Sequence, residues 1–148
     1  MPIATVKGPI PRSVELLDRV QTALTPNRLP LLIAIDEMDA VGKSSLGSWL
    51  AWQLGMPAVH LDLFITSLYP IQWADLKRVV DLRLDGGRPV IVEGVLALDA
   101  LDQIGRTADF VVFVKGVGSI GLADQLVDYQ ERRSLPGSAD FSLEGHSD

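Results

Sequence analysis

Apolar residues recur along this chain in two patterns, short continuous runs and longer stretches spaced three or four residues apart. The runs are Leu31–Ile35, Ala58–Leu61, Val90–Val92 and Phe110–Val114. Each stops at a polar residue, as strands buried on both faces do. Four stretches carry the helical spacing: Ser13–Leu24, Lys43–Leu54, Gln72–Leu84 and Ile120–Arg133. The first places Val14, Leu17, Val20 and Leu24 on one face, with Ser13 as an N-cap. The second closes at Gly55 and Pro57, the third carries Trp73, Leu76, Val80 and Leu84, and the last turns Leu122, Ala123, Leu126 and Val127 inward. Thr25–Pro30, Tyr69-Pro70 and Asp85–Pro89 are the breaks. Strands alternating with helices predict a three-layer α/β fold. Its central parallel sheet has four or five strands, covered by helices on both faces. The fifth strand depends on Ala139–Leu143, which lies in a Ser/Gly/Asp-rich segment, 134–148, expected as a flexible tail. Residues 1–148 form one domain, with 1–30 as an N-terminal helical extension.

Composition narrows the choice of function. The chain has 148 residues, 47% of them hydrophobic, enough for one real core. Its formal charge is −6 and no run of Lys or Arg tracks a nucleic-acid backbone, which argues against a nucleic-acid partner. With no cysteine, disulfides, thiolate metal sites and thiol catalysis are excluded, in keeping with a cytoplasmic location. The opening residues lack a signal-like apolar stretch and no run is long enough to span a membrane.

The chemistry gathers where the strands end. Leu31–Ile35 leads through a short loop into Gly42-Lys43-Ser44 and then a helical pattern. This is the order a phosphate-binding P-loop (Walker A) requires. The backbone amides of Asp39, Ala40, Val41, Gly42, Lys43, Ser44 and Ser45 form the expected cradle for a nucleotide triphosphate. Lys43 reaches toward the β/γ oxygens, and the Ser44 hydroxyl suits one Mg²⁺ position. Asp62 follows the second run and Glu93 the third. In a parallel α/β sheet these ends share one edge, where ligands bind. An acid ending a buried strand beside a P-loop suits Mg²⁺ or its water, which makes Glu93 a metal candidate. One residue misfits: the full P-loop pattern has Gly where this chain has Glu37.

Three segments resemble known families. Val90-Ile91-Val92-Glu93-Gly94-Val95-Leu96-Ala97-Leu98 resembles the "VI-x-EG-hydrophobic-L-x-L" segment of uridine kinases and their P-loop kinase relatives. His60-Leu61-Asp62-Leu63-Phe64 is similar to their "DDFY" strand end, with Leu63 in place of the second acid. The loop from Asp36 to Ser45 also resembles the "EG-x-D-x-x-GK-S-T" loop of thymidylate kinases. The match runs from about Leu31 to Val114, in order. It implies a P-loop NTPase fold and Mg·ATP-dependent phosphoryl transfer to a small-molecule acceptor, nucleoside-like in the uridine-kinase case. On that resemblance Lys43 holds the transferred phosphate. Asp62 accepts or orients the acceptor's proton and joins Ser44 and Glu93 as a metal candidate. Arg132 and Arg133 are the candidates for the arginines such kinases place over the γ-phosphate, although two basic residues in a last helical turn also suit the helix dipole. Trp73, Arg78 and Arg83 are acceptor-pocket candidates, although Trp73 sits on the apolar face and suits the core as well, and His60 reads as a satisfied core histidine. The alternative is a catalytically weak or inactive nucleotide-binding P-loop protein that works through a partner. A GTPase is disfavoured, because residues 115–118 read Lys-Gly-Val-Gly where an Asn-Lys-x-Asp motif would stand.

Overall fold

A computed structural model describes residues 8–24, 31–37, 45–61, 72–115 and 123–144. Ten elements follow in order: α1 Ser13–Leu24, β1 Leu32–Glu37, α2 Ser45–Leu54, β2 Ala58–His60, α3 Trp73–Asp85, β3 Val90–Gly94, α4 Ala97–Gln103, β4 Phe110–Lys115, α5 Ala123–Arg133 and β5 Phe141–Glu144. The strands form one sheet in the order β2-β3-β1-β4-β5, and every pairing is parallel.

The continuous apolar runs explain this arrangement. Side chains alternate across a strand, so a run apolar at every position feeds two cores. In β1, Ile33 and Ile35 join Leu16, Val20, Leu46, Leu50 and Leu54 of α1 and α2 on one face. Leu32 and Ala34 join Leu76, Val80, Ala97, Ala100 and Leu101 of α3 and α4 on the other. Chain order and strand order diverge at β1, which lies between β3 and β4 although β2 follows it in sequence. Such a switch point opens a crevice beyond the carboxyl ends of the strands.

The described elements differ from the expectations in four places. In α1 the buried ridge is Leu16, Val20 and Leu24, while Val14 is 53% exposed. The helix meets its neighbours along i, i+4, i+8, and the expected i, i+3 row shares only Val20 and Leu24 with it. The Ser13 hydroxyl accepts from the Ile10 amide at 3.2 Å and donates to the Ile10 carbonyl at 2.6 Å, tying the helix start to the turn before it. In α5, Val127 is exposed and Tyr129 is buried, while Leu122 and the side chains of Ala123 and Leu126 lie outside the described part. The segment expected as a flexible tail supplies β5. Phe141 and Leu143 are buried in the first core, and Asp140 accepts the Val111 amide at 2.7 Å at the strand's entry. Finally, the short α4 had no counterpart among the helices expected.

Candidate functional site

The carboxyl ends of β1, β2 and β3 lie side by side. Ile35 of β1 and His60 of β2 both stand in register with Glu93 of β3, and Asp36 stands opposite Gly94. Gly94 has a steric reason to be glycine. Its φ is +157°, and a Cβ there would meet the Leu61 side chain at 2.8 Å. Leu61 is thereby packed against the end of β3, and the next residue in the chain is Asp62. Among the expected loop and site residues, Asp39, Ala40, Val41, Gly42, Lys43, Ser44 and Asp62 lie outside the described residues. Glu37 closes β1 and Ser45 opens α2, with their side chains outside the described part.

Glu93 carries the most informative geometry. It is 2% exposed and points to the α2 face, in phase with Ile91 of the first core. Its side chain packs over Gly47 in the first turn of α2, where a Cβ would stand 2.9 Å from Glu93 Cγ. A helical glycine costs roughly 1 kcal/mol against alanine, so this contact accounts for Gly47 in place of a better helix former. Glu93 Oε1 bonds His60 Nδ1 at 2.8 Å, and His60 Nε2 meets the Ser48 hydroxyl at 3.3 Å. Glu93 Oε2 is buried with no hydrogen-bond partner among the described residues. A buried carboxylate oxygen without a donor is the kind of group a divalent cation or its bound water satisfies, so this residue fits the Mg²⁺ a P-loop uses. His60 is thus satisfied, yet it is only partly buried and does more than fill a core. No cluster of three or more His, Asp and Glu able to hold a metal occurs among the described residues.

The second buried acid, Asp36, faces the opposite side. It is fully buried, accepts the Tyr129 hydroxyl through Oδ2, and leaves Oδ1 without a partner among the described residues. The Tyr129 hydroxyl in turn accepts the Leu98 amide at 3.0 Å. Burial pushes the Asp36 carboxyl up to about 7, against the pull of Tyr129 and the Ala97 amide. Burial and the neighbouring Asp36 carboxylate both raise the Tyr129 phenol. This pair escaped the sequence reading. The signal was the strand period itself: Asp36 shares its face with Leu32 and Ala34, a buried face on which an acid needs a partner.

Arg132 and Arg133 are engaged by carboxylates. Arg132 reaches Asp99 at 3.0 Å and Asp128 at 3.0 Å, and Arg133 reaches Asp99 and Asp102, both at 2.5 Å. Burial tends to raise the Asp99 carboxyl, but the two guanidinium groups outweigh it and hold it below the usual carboxylate range. The acceptor-pocket candidates are not brought together. Trp73 packs half-buried on the second core, Arg78 pairs with Asp75 at 3.4 Å, and Arg83 binds the Pro89 carbonyl at 2.9 Å, before β3 begins. Pro89 and Glu93 lie about 13 Å apart along the strand by its rise per residue.

The described architecture is an α/β fold, a five-stranded parallel sheet with helices on both faces. No family model and no curated protein matches the sequence. A solved structure described as a possible uridine kinase from Bacillus stearothermophilus is similar to this chain with a TM-score of 0.59 and 15% identity, over 89% of this chain and 97% of that one. A shikimate kinase from Bacteroides thetaiotaomicron is matched with a TM-score of 0.44 and 18% identity, over 78% of this chain and 86% of that one. At these identities the likeness is one of fold. No helix among the described residues is long and apolar enough to cross a membrane.

Proposed function

We propose that the chain is a phosphotransferase that uses Mg·ATP to phosphorylate a small-molecule acceptor, nucleoside-like in the reading closest to the uridine kinases. The observation that carries this is Glu93. It is a buried acid at the end of β3 with one oxygen free of partners among the described residues, packed on the first turn of the helix that follows Gly42-Lys43-Ser44. Lys43 holds the transferred phosphate and the amides of residues 39–45 cradle the phosphate chain. Ser44 and Glu93 hold the metal, Glu93 directly or through water. Asp62 orients the acceptor hydroxyl and is a further metal candidate. Mg²⁺, when bound, neutralises charge on the phosphates. Phosphoryl transfer needs positioning and neutralisation more than covalent chemistry, so these few groups suffice.

One observation favours the alternative of a nucleotide-binding protein with weak turnover. Both candidate γ-phosphate arginines, Arg132 and Arg133, are held by Asp99, Asp102 and Asp128. The two readings separate in a phosphotransfer screen with Mg·ATP against nucleosides, nucleotides, sugars and vitamins. Transfer that is lost in Lys43→Ala and Asp62→Asn supports the kinase. Tight nucleotide binding with no transfer to any acceptor supports the binding protein. Unchanged ATP affinity in Lys43→Ala, measured by calorimetry, removes both.

A further inference from the structure

Of the three-residue chain Ser48–His60–Glu93, the proposed function gives a role to Glu93 alone. The order of the three is that of a nucleophilic triad, but Ser48 lies inside α2, where its amide belongs to the helix ladder and supplies no oxyanion donor. The geometry instead serves the glutamate. Glu93 has two oxygens in a buried site, and only Oε1 has a protein partner among the described residues. Gly47 lets the side chain lie close against α2, which limits its rotamers, and the His60 Nδ1–H fixes the rotation of the carboxylate about its last bond. The Glu93 carboxylate can only accept, so it calls for the proton on Nδ1, and the Ser48 hydroxyl at 3.3 Å is then free to donate to a bare Nε2. An open cleft lined in part by Ser48, Trp52, His60 and Arg83 leaves the serine end of this chain in solvent and the glutamate end dry.

We propose that His60 is a positioning residue for Glu93 that occupies Oε1 so that Oε2 alone is presented to the divalent cation of the bound nucleotide. This rests on the nucleotide-metal reading given under Proposed function. Partners behind a metal ligand commonly govern affinity by about 10- to 100-fold even though they never touch the ion. His60 lies two residues before Asp62, so the same short strand positions the metal ligand's partner and carries the chain to the acceptor acid.

The test is Mn²⁺ binding to the protein·ADP complex, read from the electron paramagnetic resonance of free Mn²⁺, with metal-free ADP affinity measured alongside by calorimetry. His60→Asn puts an amide N–H near the place of Nδ1, and His60→Gln puts it near Nε2. His60→Gln is expected to weaken Mn²⁺ about tenfold or more, and His60→Asn to stay within about threefold of the parent, with metal-free ADP affinity level across the set. Equal Mn²⁺ affinities in both variants, or equal losses, overturn the proposal. Nitrogen-15 shifts of the parent's His60 ring supply an independent reading. A proton on Nδ1 supports the proposal, and an Nδ1 without one overturns it whatever the metal does. Failure of the underlying reading looks different. It appears in the parent protein as no Mn·ADP binding, or in Glu93→Gln as an undiminished Mn²⁺ affinity, and either result removes the proposal with it.

Discussion

Replacing Asp36 with asparagine should flatten the dependence of stability on pH. The wild-type carboxyl is fully buried, with Tyr129 donating to one oxygen and no described residue donating to the other, and burial raises it from 3.8 to about 7. The folded state therefore holds a proton that the unfolded chain has already released. For an acid raised in this way, the stabilisation is fully present below the unfolded value of 3.8 and is lost as pH rises through the folded value near 7. Each pH step in that window costs about 1.36 kcal/mol, so the whole loss is about 4 kcal/mol, of which about 3 kcal/mol falls between pH 5 and 8. The asparagine side chain has nearly the same shape, keeps a carbonyl for Tyr129 and cannot ionise. The assay is urea unfolding of both proteins at pH 5, 6, 7 and 8, with stability taken from midpoint and slope. Subtracting one curve from the other cancels every other titrating group. The variant should gain about 3 kcal/mol relative to the parent across that range and level off above pH 7. Parallel curves would refute the assignment of a buried, proton-retaining carboxyl at the end of β1.

Tyr129→Phe removes the donor to Asp36 and strands the Leu98 amide. It should cost about 1–3 kcal/mol per unsatisfied group and raise the Asp36 carboxyl further, extending the pH-dependent loss to higher pH in the same unfolding series. Gly47→Ala should destabilise by about 1–3 kcal/mol despite the better helix propensity of alanine, because the new Cβ meets Glu93 Cγ at 2.9 Å. A gain in thermal midpoint would show that Glu93 moves aside freely. Glu37→Gly restores the residue that the phosphate-loop pattern calls for. ATP affinity by calorimetry should be equal or better, and a large loss would assign Glu37 a positive role.

Much of the fold is written in the periodicity. Ile33 and Ile35 alternate with Leu32 and Ala34, and that pattern alone calls for a strand covered on both sides. α4 escaped because its seven residues are too short for a helical period to show and because it starts from Leu96 in a left-handed conformation (φ 58°) without a side-chain cap. β5 was an open choice because its two buried residues, Phe141 and Leu143, stand between Asp140 and Glu144 in polar surroundings, and only pairing with β4 decides the matter. At the site, Glu93 was legible because an acid directly after three apolar residues stands out. Its partner His60 looked like part of the apolar run, since nothing local says that a histidine on β2 meets an acid 33 residues away on β3. Long-range polar pairs leave no trace in local spacing.

Asp36 and Glu93 are the two buried carboxylates among the described residues, and each has one bonded and one orphan oxygen there. They sit on neighbouring strands one register step apart, and that step sends them to opposite faces of the sheet. Glu93 goes to the α2 face, beside the helix that follows Gly42-Lys43-Ser44. Asp36 goes to the α4 and α5 face, where it meets Tyr129. This division bears on the arginines of α5. The ion pairs of Arg132 and Arg133 are partly exposed and weakened by water and salt. The Tyr129–Asp36 bond is buried, and breaking it strands a carboxylate, a hydroxyl and an amide at once, at about 1–3 kcal/mol for each. Tyr129, more than the arginines' own partners, therefore fixes α5 to the end of β1. An arginine that reaches a phosphate from this helix has to do so by a change of side-chain rotamer, with the helix in place.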